Sequence, residues 1–279
     1  MSQCSEEKVK YLEKTAHQIR EDLMEMFRGA GRGHIGGSLS AVEAIVALYF
    51  HIMRVDPKNP CWPDRDRFIL SKGHASATWY AILAEKGFFP REFLFTQYIK
   101  IDGILQEHCE MQKIPGIDMS SGALGQGLSV ALGMSLAGRL AKKDYRVYVM
   151  MGDGEIQSGQ VWEAAMACSH YKANNLTAIL DYNKLQVSDF VCKVMNIEPV
   201  VKKFEAFGWN ALEIDGHNMT EVAQALQKAK DNISSSPTII ISHTIKGKGV
   251  PFMEGNVQWH SHSLSEEEYQ RAKQALAGS

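Results

Sequence analysis

Gly152-Asp153-Gly154 closes a run containing Val147, Val149, Met150 and Met151, and Asp181-Tyr182-Asn183-Lys184-Leu185 closes the next apolar run. Residues 155–182, 28 in all, separate Gly154 from Asn183. A carboxylate, an amide oxygen and a nearby backbone carbonyl are hard oxygen ligands. They suit Mg²⁺ or Ca²⁺ held together with a phosphate. Gly154 would let its N–H approach that phosphate. Gly-Asp-Gly alone is also common turn chemistry, so the paired Asn183 carries the reading. Histidines and lysines recur in glycine-rich or strand-end settings at Gly33-His34-Ile35-Gly36-Gly37, Ser71-Lys72-Gly73-His74-Ala75 and His243-Thr244-Ile245-Lys246, with His108 in the less marked segment Gln106-Glu107-His108-Cys109 and His260 after Trp259. Imidazoles can hydrogen-bond hydroxyls and relay protons near neutral pH. A lysine suits a phosphate as a point charge.

These residues need a scaffold. Short β-rich runs occur at 68–70, 146–151, 177–181, 211–214 and 238–242. Helical patterns at 126–141, 160–171 and 220–232 separate several of them. Apolar strands alternating with helices predict βαβ units and a mostly parallel sheet with helices on both faces. Ligands bind such sheets beyond the carboxyl ends of the strands. The chemistry-bearing residues fall there, with Asp215-Gly216-His217 at one further strand end. Sequential strands usually lie side by side, so Asp153 and Asn183 should meet. Val9, Leu12, Ala16, Ile19, Leu23 and Phe27 predict an opening amphipathic helix, started at Ser5 and ended by Gly29 and Gly31. A glycine-rich loop over 31–37 should follow. Ser40-x-x-Glu43 reads as a capping box for a helix running to about His51. A surface helix is expected over 265–277. The expected organisation is one diphosphate- and metal-binding domain over 1–279: N-terminal helices at 5–52, an α/β core at about 65–245, and a loop and helix at 246–279.

Thirty Lys plus Arg against 32 Asp plus Glu give a net charge of −2, with no basic surplus for nucleic acid or an anionic membrane. The longest apolar run, Ala44–Phe50, is far short of the roughly 20 residues that span a bilayer. Met1-Ser2-Gln3-Cys4-Ser5 lacks the basic and apolar regions of a signal peptide. Five scattered cysteines without a CxxC read as reduced thiols. A cytoplasmic location is expected. Met150 and Met151, with Met134 and Met166, read as core filler.

A GDG, a spacer near thirty residues and a closing Asn resemble the signature of thiamine-diphosphate enzymes. Together with Gly33–Gly37, Ser71–Ala75, Gly122-Ala123-Leu124-Gly125-Gln126-Gly127 and Trp259-His260, the order resembles the N-terminal, diphosphate-binding part of a transketolase. The resemblance implies that Asp153, Asn183 and the Leu185 carbonyl ligate Mg²⁺, with Ca²⁺ possible. It implies that His74, Gly154, Lys246 and His260 hold the diphosphate of thiamine diphosphate. Gly122, Ala123 and Leu124 would line the aminopyrimidine pocket, and His34, His74, His108 and His260 would surround the reacting two-carbon unit. Ala123 stands where some relatives carry Pro or Ser. His17 and His51 fall in helical patterns; His170, His243 and His262 have no motif support, and His217 fits a turn role equally well.

The family's general-base Glu and aromatic platform come from a second domain. Only 19 residues, 261–279, follow His260. The resemblance therefore implies the smaller half of a split transketolase, working with a C-terminal subunit that carries the pyrimidine and C-terminal domains, as an α2β2 complex. The implied reaction moves a two-carbon ketol unit from a ketose phosphate to an aldose. Ser158 occupies a position that is Glu in many transketolases, where an acidic network links two active sites; Glu163 is an alternative carboxylate. Three other readings stay open: a 2-oxo-acid dehydrogenase subunit, disfavoured by the early His motifs; a specialised two-carbon transferase acting on an unusual sugar or acyloin; and a cofactor-binding subunit with lapsed catalysis.

Overall fold

The computed structural model describes residues 4–278. Met1–Gln3 and Ser279, which bear on the signal-peptide reading and on the outer limits of the expected domain, lie outside the described residues. Five strands, β1 Arg67–Leu70, β2 Val147–Gly152, β3 Leu176–Tyr182, β4 Asn210–Asp215 and β5 Thr238–His243, form one all-parallel sheet in the order β1-β2-β3-β5-β4. Each expected run is a strand, extended by one residue at one or both ends, except that β2 is shifted by one, beginning at Val147 instead of Arg146 and ending at Gly152. β2 and β3 pair through Gly152 and Asp181, so the two proposed metal-ligand segments leave neighbouring strand tips.

Period-two alternation divides the sheet's side chains between two cores. Phe68, Leu70, Tyr148, Met150, Ile179 and Ile240 face one core. It is filled by α1 Glu6–Ala30, α2 Ile35–Leu39, α3 Val42–Ala47, α4 Ser76–Lys86, the α5 turn Phe93–Thr96, α10 Met219–Lys230 and α11 Glu266–Ala277. Ile69, Val147, Val149, Met151, Ala178, Leu180 and Ile241 face the other. There they meet α6 Gly127–Leu140, α7 Gly159–His170, the short α8 Val191–Val194 and α9 Val200–Ala206. β4 is the exception to double burial: as an edge strand it is only partly covered. Among the described residues no helix is long and apolar enough to cross a membrane.

Helix ends follow local chemistry where nothing competes. Ser5 caps α1 by accepting from the Lys8 N–H, and Gly31 ends it in the left-handed conformation. Ser265 and Glu268 form a reciprocal capping box on α11.

The Ser40–Glu43 box does not form. Ser40 Oγ instead donates to Asp181 at 2.7 Å, and Glu43 is buried against Arg20 at 2.6 Å. α3 begins at Val42 without a side-chain cap and passes into a wider π-type turn at Leu48–Ile52. The expected 31–37 loop is partly helical, because Ile35–Gly37 belong to α2. Met166 is half exposed on α7 and does not fill the core, unlike Met150 and Met151.

Candidate active site at the strand tips

The site is assembled by close backbone packing. A Cβ on Gly36 would sit 2.8 Å from both Lys246 Cγ and the Trp259 carbonyl, and one on Gly37 would sit 2.9 Å from His74 Cδ2. The two glycines thus let α2 lie against both Lys246 and His74. Gly247 N–H donates to the Gly36 carbonyl at 3.1 Å. Gly33 and His262 exchange two backbone hydrogen bonds, which tie the His34 segment to the segment bearing His260.

The floor is a buried ion pair. Lys72, leaving β1, meets Asp181 near the end of β3, and both side chains are essentially inaccessible. The Lys72 ammonium also donates to the Gly37 carbonyl at 2.9 Å. Asp181 accepts from Ser40, Thr244 and Asn183. Burial pushes the Asp181 carboxyl upward, but Lys72 and the hydroxyl donors outweigh it and hold the group below its ordinary value. Glu155 forms a second buried anchor. Its carboxylate accepts from Ser71, from Gly125 N–H at 2.8 Å and from Gly152 N–H at 3.0 Å, so it pins the Gly122–Gly127 loop to β2.

Above this floor, Asp153 Oδ1 accepts from Gly154 N–H at 2.7 Å and Oδ2 accepts from Lys184 N–H. Asn183 Oδ1 faces the following turn and accepts from Leu185 N–H at 3.1 Å. The Leu185 carbonyl receives the Lys246 ammonium at 3.3 Å. Burial first, and then the Asp181 charge, push Asp153 up to about 7. Lys246 is pushed down to about 8 by burial and by Lys72. Its Nζ lies 2.8 Å from His260 Nδ1, which accepts from the ammonium. No sequence motif marks Glu155 or the Lys72–Asp181 pair as functional partners. Only the burial expected at strand tips could have signalled them.

Four imidazoles converge. His34 lies 5.7 Å from His74, 5.9 Å from His108 and 5.3 Å from His260, ring centre to ring centre, and His74 lies 5.3 Å from His260. Burial, then Lys246, hold His260 down to about 3, and burial with Lys72 holds His74 well below its ordinary value. Both are neutral near pH 7. Gly122, at φ +135°, lies against the His108 ring. Gly122, Ala123 and Leu124 are exposed along one margin of the cleft. The cleft itself, lined by Lys72, His74, Leu124, Asp153, Asn183 and Lys246 among others, encloses only about 90 Å³.

The other histidines lie elsewhere. His217 Nε2 accepts from Ile245 N–H at 2.8 Å, and its Nδ1 lies 3.2 Å from Glu43, so it braces the segment leading into Lys246. His243 meets Glu213, and His262 packs on Trp259. Ser158 precedes α7 and packs on the Gly125 turn, while Glu163 is exposed on α7.

The residues present fit both expected groups. A buried carboxylate at about 7 and two hard neutral oxygens form a donor set short of positive charge. A lysine driven to about 8 in a cleft it shares with a second lysine calls for an anion. A divalent cation carrying a diphosphate would answer both demands.

The family model described as "Transketolase, thiamine diphosphate binding domain" matches residues 12–278. The 6-deoxy-6-sulfo-D-fructose transketolase subunit SqwG of Clostridium sp. (strain MSTE9) is 44% identical over 261 residues, covering 94% of this chain and 94% of that one. An apulose-4-phosphate transketolase subunit of Phocaeicola vulgatus is 43% identical over 264 residues, covering 95% of this chain and 93% of that one. Among solved structures, the transketolase of Campylobacter jejuni superposes with a TM-score of 0.89 at 31% identity. That match covers 96% of this chain but 43% of the Campylobacter chain.

Proposed function

We propose a function from one premise: this chain belongs to the transketolase family, as its thiamine-diphosphate-binding domain. The chain acts as the N-terminal subunit of a split transketolase. It takes part in moving a two-carbon ketol unit from a ketose phosphate to an aldose acceptor. The observation that carries this reading is the convergence, at the tips of β1, β2, β3 and β5, of an oxygen donor set, an underneutralised lysine and four imidazoles.

In this reading Asp153, Asn183 and the Leu185 carbonyl hold Mg²⁺. Lys246, the Gly154 N–H, His74 and His260 hold the diphosphate, and Gly122, Ala123 and Leu124 border the aminopyrimidine. Thiamine diphosphate, when bound, supplies the electron sink that two-carbon transfer needs. The protein's own work is position and charge. His260, its Nδ1 occupied by Lys246, keeps Nε2–H as a donor. With His34 it hydrogen-bonds the substrate oxygen that gains charge. His74 and His108 orient hydroxyls beside it. The whole chain forms one diphosphate- and metal-binding domain.

The exposed Gly122–Leu124 margin and the small cleft support a second wall from another chain, since small-molecule sites enclose about 300–1,000 Å³. That chain would supply the pyrimidine and C-terminal domains in an α2β2 assembly. Two relatives are named as subunits and are matched over more than nine-tenths of their length, which supports the same reading.

A second reading concerns the sugar. Those relatives are named for a sulfonated ketose and for apulose 4-phosphate, which favours a side-pathway ketose as donor or product here. A coupled assay for the released aldehyde tests both readings. It is run with this chain, with the partner and with the mixture, on xylulose 5-phosphate, apulose 4-phosphate and 6-deoxy-6-sulfo-D-fructose. Turnover by the mixture alone is expected. Full turnover by this chain alone would overturn the split-site reading. Silence on every donor despite bound cofactor would favour a lapsed subunit.

A further inference from the structure

Glu107 stands beside the imidazole cluster and has no part in the function proposed above, on which the following inference builds. Its Oε1 lies 3.0 Å from His34 Nδ1, and its Oε2 lies 3.4 Å from the Arg32 guanidinium. The three side chains form a gradient of exposure. Arg32 is 61% exposed, Glu107 24% and His34 18%. His34 Nδ1 is sealed from solvent and makes no well-aligned hydrogen bond, although the Glu107 carboxylate is within reach. Catalytic hydrogen bonds in unliganded sites are often misaligned in this way and tighten when the site fills.

Three histidines of the cluster sit in unequal polar surroundings. His260 faces the Lys246 ammonium through Nδ1. His74 is surrounded by positive or titratable neighbours, namely Lys72, Lys246, His260 and His34. Among the described residues, His34 is the only one of the four within ion-pair distance of a carboxylate. The groups facing His34 are Glu107 and His108 from the loop after α5, His74 after β1, and Lys246 and His260 from the segments after β5. Only Glu107 among them is acidic. With Nδ1 committed to Glu107, Nε2 is the nitrogen left for the other three rings and for a substrate between them.

We propose that Glu107 is a positioning residue that fixes the Nδ1–H tautomer of His34 and makes His34 the proton-carrying imidazole of the cluster. A carboxylate behind a catalytic imidazole sets its tautomer and orientation and stabilises its protonated form, without itself taking the proton. Burial lowers the affinity of His34 for a proton, and Glu107 is the chief opposing influence. The other two perturbed histidines, His74 and His260, have no such counterweight. The arrangement divides the labour: His34, when it also carries a proton on Nε2, donates to the substrate oxygen and exchanges that proton with it, while His74 and His260 stay neutral and orient. Arg32, at the solvent end, holds Glu107 from behind.

The test has a spectroscopic arm and a kinetic arm. Histidine labelled with ¹³C at Cε1 reports the titration of each ring in the full chain, and the His34 signal is assigned by its loss in His34→Gln. Glu107→Gln should lower the His34 pKa by about 1–2 units, the usual effect of removing an adjacent opposite charge. Glu107→Asp should recover most of the shift. Arg32→Ala removes the exposed pair and should move the titration by only a few tenths of a unit. In the assembled complex, Glu107→Gln should lower kcat about 10-fold or more with a smaller change in donor KM, and move the pH limb belonging to His34 to lower pH. An unchanged His34 titration in Glu107→Gln overturns the proposal. An equal effect of Arg32→Ala also overturns it, because Glu107 would then be only a clamp between loops. If none of the three ketose donors is turned over by any complex, the proposed function fails, and the titration still decides the role of Glu107.

Discussion

The cleft holds two buried lysines in opposite circumstances. Lys72, in the floor, has a carboxylate, a backbone carbonyl and a polar shell around that carboxylate. Lys246, in the wall, has an imidazole nitrogen and one long carbonyl contact. Burial and the neighbouring Lys72 charge drive Lys246 down to about 8. The difference separates architecture from function. A charge neutralised within the chain holds segments together. A charge left underneutralised in a cleft is available to a ligand.

Breaking the floor should give the largest effect. Lys72→Met or Asp181→Asn leaves a buried polar partner stranded and should cost about 3–5 kcal/mol of stability. The denaturant midpoint of the cofactor-free chain measures this. The double variant Lys72→Met/Asp181→Leu should recover part of the loss, because neither charge then remains buried alone. A loss below about 1 kcal/mol in the single variants would remove the distinction between floor and wall.

The wall should behave in the reverse sense. Lys246→Met should leave the stability of the cofactor-free chain unchanged or raised, since it removes a buried cation beside Lys72. Thiamine diphosphate affinity in the assembled complex should fall about 10–100-fold, the worth of one charge-assisted hydrogen bond of about 1.5–3 kcal/mol. Destabilisation comparable to that of Lys72→Met would show that Lys246 is structural.

The smallest effect sharpens the floor. Ser40→Ala should cost about 1 kcal/mol. A double-mutant cycle with Asp181→Asn should show coupling, because Ser40 donates to that carboxylate. Additivity would return Ser40 to a helix-capping role.

Ser40 also marks where sequence reasoning stops. Its spacing to Glu43 matches a capping box, and the same spacing before α11 is one. Local chemistry decides at Ser265, which lies on the surface. At Ser40 and Glu43 two buried partners, Asp181 and Arg20, more than a hundred and some twenty residues away in sequence, offer stronger bonds than a helix end does. The strands were legible because a parallel sheet needs continuous apolar runs and leaves glycine, Asp and His at their ends. The meeting of Asp153 with the Asn183 segment followed from adjacent strands. The four converging histidines were visible through resemblance to a family. Lys72–Asp181, Glu155 and Glu107 were not legible as partners, because each acts across the tertiary fold and no local pattern reports it. Met166 fits its helix as well exposed as buried, so composition could not place it.

The central claim is that this chain holds the metal and the diphosphate at the tips of β2 and β3. Calorimetric titration of thiamine diphosphate into the assembled complex, with and without Mg²⁺, tests it most directly when wild type is set beside Asp153→Ala. The account predicts saturable, Mg²⁺-dependent binding by wild type and its loss in Asp153→Ala, whose fold, checked by circular dichroism, is retained. Wild-type affinity in Asp153→Ala, or binding by wild type that ignores Mg²⁺, would contradict it.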